Sequence, residues 1–311
     1  MSSFNAYSSF YLPREIKNKL VQFQYQNDFR ASAVETFKDL KDQILSGPVT
    51  IRIMSSGRFK VEISLAPFNE AICHRHYFGV RRIHRLCRSA ERLASTKWAT
   101  AWTLTTCYYA SFFAAVELLH VTGKHVSYFS PDEIDELNTR ALPSNNTLSA
   151  GTYLGVATFN SQTSEVEIIY NHSETKPHVF AWHQLRELVQ HTTTERADAV
   201  RHRETLLRVL GAGPHGWCRP SEIRNRWNYS DATLFCERGE TLGASMSARI
   251  LQPRDAHRWG EARHFSQSEE NEATGLAYLR AALVEAVDNV AQAILPEDLA
   301  LEEPITEVST T

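Results

Sequence analysis

The chain has few cysteines and none of the common nucleotide-binding or hydrolase motifs. Its five cysteines in 311 residues form no CxxC pair, and this odd number favours a reducing cytoplasm over a disulfide framework. The sequence contains no GxxxxGK[ST] phosphate loop, no GxGxxG after a strand, no GxSxG elbow and no HExxH helix. Nucleotide hydrolysis, dehydrogenase chemistry and serine esterase chemistry therefore lose support.

The chain also lacks a large excess of either charge. Its net charge of −3 excludes a strongly basic nucleic-acid-binding protein but leaves room for local patches. An apolar fraction of 42% with 22% charged residues is typical of a soluble globular protein of one large or two ordinary domains. The first fourteen residues have no basic region followed by an apolar one, so we expect no secretory signal and a cytoplasmic location.

Long hydrophobic runs are scarce as well, and Trp98–Gly123 is the one clear case. Glu117 is its only formally charged residue, and apolar or small residues lie almost all round the expected helix, which is typical of a helix buried against several neighbours. Five threonines, Glu117 and the lack of a second such segment argue against a membrane span. We therefore predict a central buried helix and no membrane association.

Hydrophobic periodicity predicts a mainly α protein with small β additions. Helical spacing is found in the segments Pro13–Leu45, Phe68–Ser95, Trp182–His191, Glu195–Leu210 and Asn271–Leu295. A further helix begins at a capping box formed by Ser130 and Glu133, with Pro131 at the first position. Alternating residues predict a β-hairpin over Val49–Leu65 and a second β patch with strands at Tyr153–Phe159, Val166–Tyr170 and Val179–Trp182.

These elements suggest three regions. Residues 1–66 hold an N-terminal helix and the β-hairpin, which alone is marginal in water and needs a helix, another strand or a partner to pack on. Residues 67–295 form a helical bundle with a β insertion at about 151–182. Residues 296–311 are rich in acids and are expected to be a disordered tail.

Two short motifs resemble HEPN-type domains. The first lies in the central helix: Tyr-Tyr-Ala at 108–110, Phe-Phe-Ala-Ala at 112–115, Leu-Leu at 118–119, then Gly123. It is similar to the second helix of that family. The second motif is Arg224-Asn-Arg-Trp-Asn228-Tyr229, which resembles the third helix of one HEPN branch, with Ser221 as the expected helix cap and Asn271–Leu295 as the closing fourth helix.

The resemblance implies a HEPN-like helical bundle and a role in a prokaryotic toxin–antitoxin or antiphage defence module. Many family members are ribonucleases that act as homodimers, with a composite site built from two third helices and no metal or other cofactor. The first hypothesis is therefore a metal-independent RNase effector. The alternative is a non-catalytic subunit that binds RNA or a protein partner, such as an antitoxin or another subunit of a defence complex.

The family's catalytic signature is an arginine followed after four to six residues by a histidine. Arginine holds the phosphate and offsets its developing charge, while histidine moves protons at neutral pH. With 13 histidines in the chain, chance alone supplies such spacings, and four pairs have it: Arg186/His191, Arg196/His202, Arg208/His215 and Arg258/His264. Arg258 and His264 are preferred because they precede the closing helix.

The third-helix motif carries Tyr229 where the family has histidine. An unperturbed phenol titrates near pH 10 and is a poor base at neutral pH, so the resemblance places substrate positioning on Asn228 and Tyr229 and phosphate binding on Arg224 and Arg258. His264 is the expected proton carrier. A structural role for Arg224, Asn228 and Tyr229 in tying helix ends together is the alternative.

Arginines recur along the helix predicted at Phe68–Ser95. Arg81, Arg85, Arg88 and Arg92 lie three or four residues apart, which places them on one face. They form either a solvated surface or an RNA-binding stripe. Cys73, His76, His84 and Cys87 on the same helix have metal-ligand side chains, but one helix cannot wrap four ligands round one zinc ion, so we predict no metal site.

Overall fold

The computed structural model describes residues 7–22, 39–96, 98–211, 217, 219–262 and 266–295. Over these residues the chain is mainly α with one antiparallel sheet, which confirms the predicted fold class at that level. The helices are α1 (Leu12–Gln22), α2 (Leu40–Ser46), α3 (Leu65–Ala94), α4 (Thr100–Val121), α5 (Pro131–Arg140), α6 (Pro177–His191), α7 (Ala197–Val209), α8 (Pro220–Asn225), α9 (Ala232–Cys236), α10 (Arg238–Leu251), α11 (Pro253–Glu261) and α12 (Glu269–Ile294). The strands are β1 (Thr50–Ser55), β2 (Arg58–Ser64), β3 (Lys124–Phe129), β4 (Gly151–Asn160) and β5 (Glu165–Ser173).

Helix α4 is the centre of the helical part. It packs against α3, α12 and α6, and against β3 and α8. In the described part of the chain it is the one helix whose length and composition would suit a membrane span, yet most of it is buried inside the protein. The prediction of a buried central helix is confirmed. It ends at Val121, and Gly123 just beyond the C-cap residue Thr122 has a φ of 78°, the left-handed conformation that glycine adopts at helix C-termini.

Helices α3 and α4 form a close pair in which α4 runs back along α3. The guanidinium of Arg82 lies 3.6 Å from the centroid of the Phe113 ring, and one turn earlier Gly79 faces Glu117. A Cβ at position 79 would lie 2.3 Å from Cδ of Glu117, so glycine is required for the two helices to approach at this point.

The predicted ends and faces of two other helices are also confirmed. The Ser130 side chain accepts a hydrogen bond from the backbone N–H of Glu133, while the Glu133 carboxylate accepts one from the backbone N–H of Ser130. This reciprocal pair is the capping box expected from the sequence. The predicted apolar stripe of α12 is buried throughout and consists of Leu276, Leu279, Leu283, Val287, Val290 and Ile294.

The five strands form one sheet in the order β1-β2-β5-β4-β3. The early hairpin, β1 and β2, therefore pairs with the later β patch through β5, which meets the expectation that the hairpin needs a partner. In this pairing Phe59 lies opposite Tyr170, Val61 opposite Ile168 and Ile63 opposite Val166, and all six side chains are buried. Cross-strand pairs of aromatic and β-branched residues stabilise such a sheet and specify its register.

Several local predictions are wrong. Val179–Trp182 is not a strand, because it lies inside α6, which begins at Pro177. Ser221 is not a helix cap: Arg219 holds the N-cap position of α8, and its backbone N–H donates to Glu222. Helix α8 ends at Asn225, and the chain then forms a π-helical segment, Arg226–Ser230. Strand β3 and helices α10 and α11 have no counterpart in the sequence predictions.

Some predictions fall on residues outside the described part of the chain. They concern the middle of the first helical segment, residues 23–38, and the histidines His215 and His264 of two Arg–His pairs. The acidic tail, residues 296–311, also lies outside the described residues.

The sheet depends on an aromatic cluster formed by one ring from each of four strands. Phe59 stacks on Tyr170 with ring centroids 4.8 Å apart, and meets Tyr153 and Phe129 edge to face at 5.4 and 5.9 Å. Because Phe59 is fully buried, we expect Phe59→Ala to lower the free energy of unfolding by about 3–5 kcal/mol. Urea denaturation followed by circular dichroism would measure this loss.

The matched control is Met54→Ala on the neighbouring strand, where the side chain is 49% exposed. It should change the free energy of unfolding by less than about 0.5 kcal/mol. An unchanged main unfolding transition in Phe59→Ala would show that the hairpin does not contribute to the fold as described.

Candidate functional site

The predicted third-helix motif forms a short helical segment on the surface of α4. It comprises α8 and the π-helical segment Arg226–Ser230, and packs against α4 and α6. Trp227 is fully buried and fastens the segment to the protein. The segment is further fixed by an ion pair between Arg226 and the buried Glu272 of α12. Arg226 and Trp227 therefore anchor the motif, whereas Tyr229 lies at the surface.

Arg224 lies among three tyrosine rings. Its guanidinium carbon is 5.1 Å from the ring centroid of Tyr108, 5.7 Å from that of Tyr109 and 6.0 Å from that of Tyr229. The faces of aromatic rings attract cations at these distances. Within the described residues Arg224 has no ion pair with a carboxylate, so the rings hold its side chain while its charge stays uncompensated.

The three tyrosines differ in exposure. Tyr108 is buried and its hydroxyl accepts a hydrogen bond from Trp182 Nε1 at 3.4 Å, whereas Tyr109 is partly exposed and Tyr229 is 78% exposed. Burial raises the pKa of Tyr108, so all proton transfer by this phenol is disfavoured at neutral pH. The two exposed rings instead offer flat faces to which an unpaired base could stack.

Asn228 connects the segment to α4. Its Nδ2 donates to Oγ1 of Thr105, and Thr105 Oγ1 in turn donates to the carbonyl of Ala101 at 2.8 Å. The side chain amide is therefore used within the protein, which supports the structural alternative for this residue.

One histidine that the sequence interpretation did not assign to the site lies within the electrostatic range of Arg224. His178 lies in the first turn of α6 and is half-buried. Its pKa is lowered, first by burial and then by the positive charges of Arg224 and Lys176. A histidine with a lowered pKa is neutral at pH 7 and can accept a proton. The predicted strand at Val179–Trp182 concealed this position, although the Pro177 helix start was a signal for it.

We call the group formed by Arg224, Tyr108, Tyr109, Tyr229 and His178 the Arg224 face. Arg258, the other predicted phosphate-binding residue, lies on α11 with its side chain 73% exposed, and it pairs with Asp255 of the same helix at 3.1 Å. Helix α11 packs on α12, α7 and α10. Of the five residues predicted as catalytic, the structure thus brings together Arg224, Asn228 and Tyr229, and His264 is outside the described residues.

The predicted arginine stripe lies along α3. Arg85, Arg88 and Arg92 are exposed, whereas Arg81 is half-buried over the ring of Tyr77, 5.3 Å from its centroid. A groove with a volume of about 660 Å³ follows this helix and is lined by Phe78, Arg81, Arg82, Arg85, Leu86 and Ser89. We call it the α3 groove.

A buried group of ionisable residues lies at one end of the α3–α4 pair. Glu117 of α4 is fully buried and lies next to His76 of α3, and the rings of His120 of α4 and His125 of β3 stack on each other 5.4 Å apart; all three histidines are less than 4% exposed. Glu117 Oε2 is 3.9 Å from His76 Nδ1, and Glu117 Oε1 is 3.4 Å from Nη2 of Arg82. We call Glu117 and the three histidines the acid–imidazole cluster.

Burial favours the neutral forms of this cluster. It raises the pKa of Glu117 to about 7, whereas the positive charges of Arg75 and Arg82 act to lower that pKa. It lowers the pKa of His76 to about 4 and that of His125 to about 3, and it holds the pKa of His120 well below its usual range. Groups so perturbed are typical of functional sites, although structural networks also produce them.

The residues singled out as zinc ligand types do not meet round one point. His76 belongs to the acid–imidazole cluster, while His84 Nε2 lies 2.8 Å from Asp288 Oδ1 on α12. Across the described ranges of the chain, no group of three or more histidine, cysteine, aspartate or glutamate side chains is arranged to hold a metal ion.

Comparison of the chain with protein-family models, with curated proteins and with solved structures finds no match.

The raised pKa of Glu117 predicts a specific pH dependence of stability. The folded protein binds this proton more tightly than the unfolded chain, so the stability from Glu117 is present at low pH and is lost as the pH rises from 4.5 to about 7. The loss amounts to about 3 kcal/mol. We therefore expect Glu117→Gln, measured by urea unfolding, to gain stability relative to wild type between about pH 5 and about pH 8.

The comparison with wild type matters because the neighbouring histidines act in the opposite direction. Because the pKa values of these histidines are lowered, the folded protein loses stability as the pH falls below 6.5, the usual histidine pKa. The histidines are present in both proteins, so their contribution cancels when the two stabilities are subtracted. A difference between the two proteins that stays constant with pH would show that Glu117 is ionised in the folded state across this range.

Proposed function

We propose that the Arg224 face binds single-stranded RNA and cleaves it without a metal ion, in the manner of HEPN-like ribonucleases. The observation that carries the proposal is the placement of an unpaired guanidinium among three tyrosine rings beside a histidine with a lowered pKa. Guanidinium groups bind phosphate, exposed rings stack on bases, and a neutral imidazole accepts protons.

The chemistry follows from these roles. His178 takes the proton of a ribose 2′-hydroxyl, and the 2′-oxygen forms a bond to the adjacent phosphorus. The bond from phosphorus to the 5′-oxygen breaks, and the protonated imidazole returns its proton to that leaving oxygen. The products are a 2′,3′-cyclic phosphate and a 5′-hydroxyl. Arg224 offsets the charge that develops on the phosphoryl oxygens.

Tyr109 and Tyr229 have a binding role in this scheme. Their rings hold the bases on either side of the reacting phosphate, and each stacked base is worth about 1–3 kcal/mol. Tyr229 replaces the family's histidine in sequence, and His178 from α6 replaces it in space. Asn228 holds the segment on α4 through Thr105 and so positions Arg224.

In HEPN-like proteins the site is composite, and we extend that arrangement to this chain as a cytoplasmic homodimer in a toxin–antitoxin or antiphage defence module. Exposed aromatic residues continue from the Arg224 face along α4, because Trp102 is 57% exposed and meets Phe235, 41% exposed, at a centroid distance of 6.2 Å. A second copy or a protein partner would cover such rings.

The test is induced expression in a bacterial host, with total RNA examined on a gel and the purified protein incubated with single-stranded RNA. We expect Arg224→Ala and His178→Ala each to lower the cleavage rate by about 10²-fold or more. The control Arg52→Ala, an exposed arginine paired with Glu62 on the sheet, should cleave at the wild-type rate. Intact melting temperatures would separate lost chemistry from lost folding.

The second candidate function is a non-catalytic subunit that binds RNA or a protein partner. It is favoured by the tyrosine at position 229, which is exposed rather than poised for proton transfer. The wild type would then bind RNA, Arg224→Ala would not, and no cleavage would be detected at any protein concentration. These results would establish the binding role and reject the nuclease.

A further inference from the structure

A second basic site lies beside the acid–imidazole cluster of the α3–α4 pair. Asp39, Arg75, Phe78, Gly79 and Arg82 line a pocket with a volume of about 430 Å³. It shares Phe78 and Arg82 with the α3 groove, so the two cavities are continuous. We call it the Arg75 pocket.

The two guanidinium groups of the pocket have free donor capacity. Arg75 donates to Asp39 Oδ2 at 3.2 Å, and Arg82 donates to Glu117 Oε1 at 3.4 Å. Each arginine thus makes one hydrogen bond to a carboxylate within the described chain. A guanidinium carries five N–H donors, so most of the donors of each group are not bonded to a carboxylate. Nε of Arg75 is buried without an acceptor. Two such groups facing one cavity suit a phosphate, which accepts paired N–H bonds.

The inner end of the pocket is closed by acids. Glu117 lies directly behind Gly79, its Oε2 is buried without a hydrogen-bond donor, and Asp39 lies at the side in its ion pair with Arg75. A polyanion could not continue past these two carboxylates without strong repulsion. The pocket can therefore take the end of a chain of phosphates, but not its middle.

The outer end opens onto a track of positive charge. From Arg82 the α3 groove leads past Arg81 and Arg85, and Arg88 and Arg92 follow on the exposed surface. The ten residues from Arg82 to Arg92 span about 15 Å of helix, which is the length of a few nucleotides of a single strand. The apolar side chains Phe78 and Leu86 lie between the charges, where a base or sugar can pack.

We propose that the Arg75 pocket binds the terminal phosphate of an RNA strand whose following nucleotides lie along the α3 groove. Arg75 and Arg82 hold the terminal phosphate, and Arg85, Arg88 and Arg92 follow the backbone. The proposal rests on RNA as the ligand of the proposed function, but it concerns a different site from the Arg224 face. A 5′-phosphate and a 3′-phosphate share the chemistry that the pocket recognises.

Binding of short RNA by calorimetry tests this directly. The ligands are three 2′-O-methyl tetrauridylates, with a 5′-phosphate, a 3′-phosphate or hydroxyls at both ends, since the methyl groups prevent attack by the 2′-oxygen. We expect one of the two terminal phosphates to tighten binding at least about tenfold over the hydroxyl form. Equal binding of all three by the wild type would overturn the proposal.

Arg82→Ala should abolish this gain. Because the substitution leaves Glu117 without its cation, a second variant combines Arg82→Ala with Glu117→Gln and so removes the buried charge. Glu117→Gln alone and the control Arg52→Ala, whose guanidinium also pairs with a glutamate, should keep the gain. A gain that persists in both folded Arg82 variants would overturn the proposal, as would AMP that binds as tightly as the phosphorylated tetranucleotide.

The outcome is independent of the cleavage test. Arg224→Ala changes a separate site and should leave the ratio between phosphorylated and hydroxyl forms unchanged. If the protein cleaves RNA but binds the phosphorylated and hydroxyl oligonucleotides equally, only the terminal-phosphate pocket is refuted. A protein that shows the ratio without cleavage would refute the nuclease alone.

Discussion

The requirement to cover α4 on every side determines the rest of the architecture. A helix with an apolar surface all round must be buried, and no single partner helix can do this. The protein surrounds α4 with α3, α12 and α6, with β3, and with the short segment that carries Arg224. Each of these elements brings a different chemical group to one helix, so the functional groups are arranged along the length of α4.

The same requirement explains the acid–imidazole cluster. Glu117 occurs where α4 meets α3 and the sheet, and a buried carboxylate there costs free energy unless it is neutral or paired. Both apply in part to Glu117. Its carboxylate is paired with Arg82 at 3.4 Å, and its pKa is raised to about 7, which favours the neutral form. Gly79 makes room for the carboxylate, and the imidazole of His76 on α3 lies 3.9 Å from it. A polar group in the core is thereby retained next to a basic pocket.

Elements with strong local signals were predictable from the sequence. The stripe of α12 and the capping box at Ser130 depend on neighbours three and four residues apart, which a sequence displays directly. The hairpin over β1 and β2 was visible for the same reason. Its pairing with β5 was not, because Phe59 and Tyr170 are more than a hundred residues apart and nothing local specifies that register.

The missed elements have weak or ambiguous patterns. Helix α10 contains Gly239 and Gly243 and several small polar residues, which lower helix propensity and hide the apolar stripe. The apolar run at Val179–Trp182 is too short to distinguish a strand from a helix, and His178 next to it was interpreted as a surface histidine of the β patch. The Arg224 motif was found by resemblance, yet its partner histidine comes from a distant segment that spacing along the chain cannot reveal.

One feature of α4 links the two basic sites. Arg224 lies over Tyr109, Tyr109 stacks on Phe113 with centroids 6.3 Å apart, and Arg82 lies on the other side of Phe113 at 3.6 Å before reaching Glu117. The two guanidinium groups are thus the ends of a single stack of rings. The same aromatic side chains of α4 therefore position two cations that do not touch each other. The distance between the two guanidinium groups is set by the spacing of Tyr109 and Phe113 along one helix.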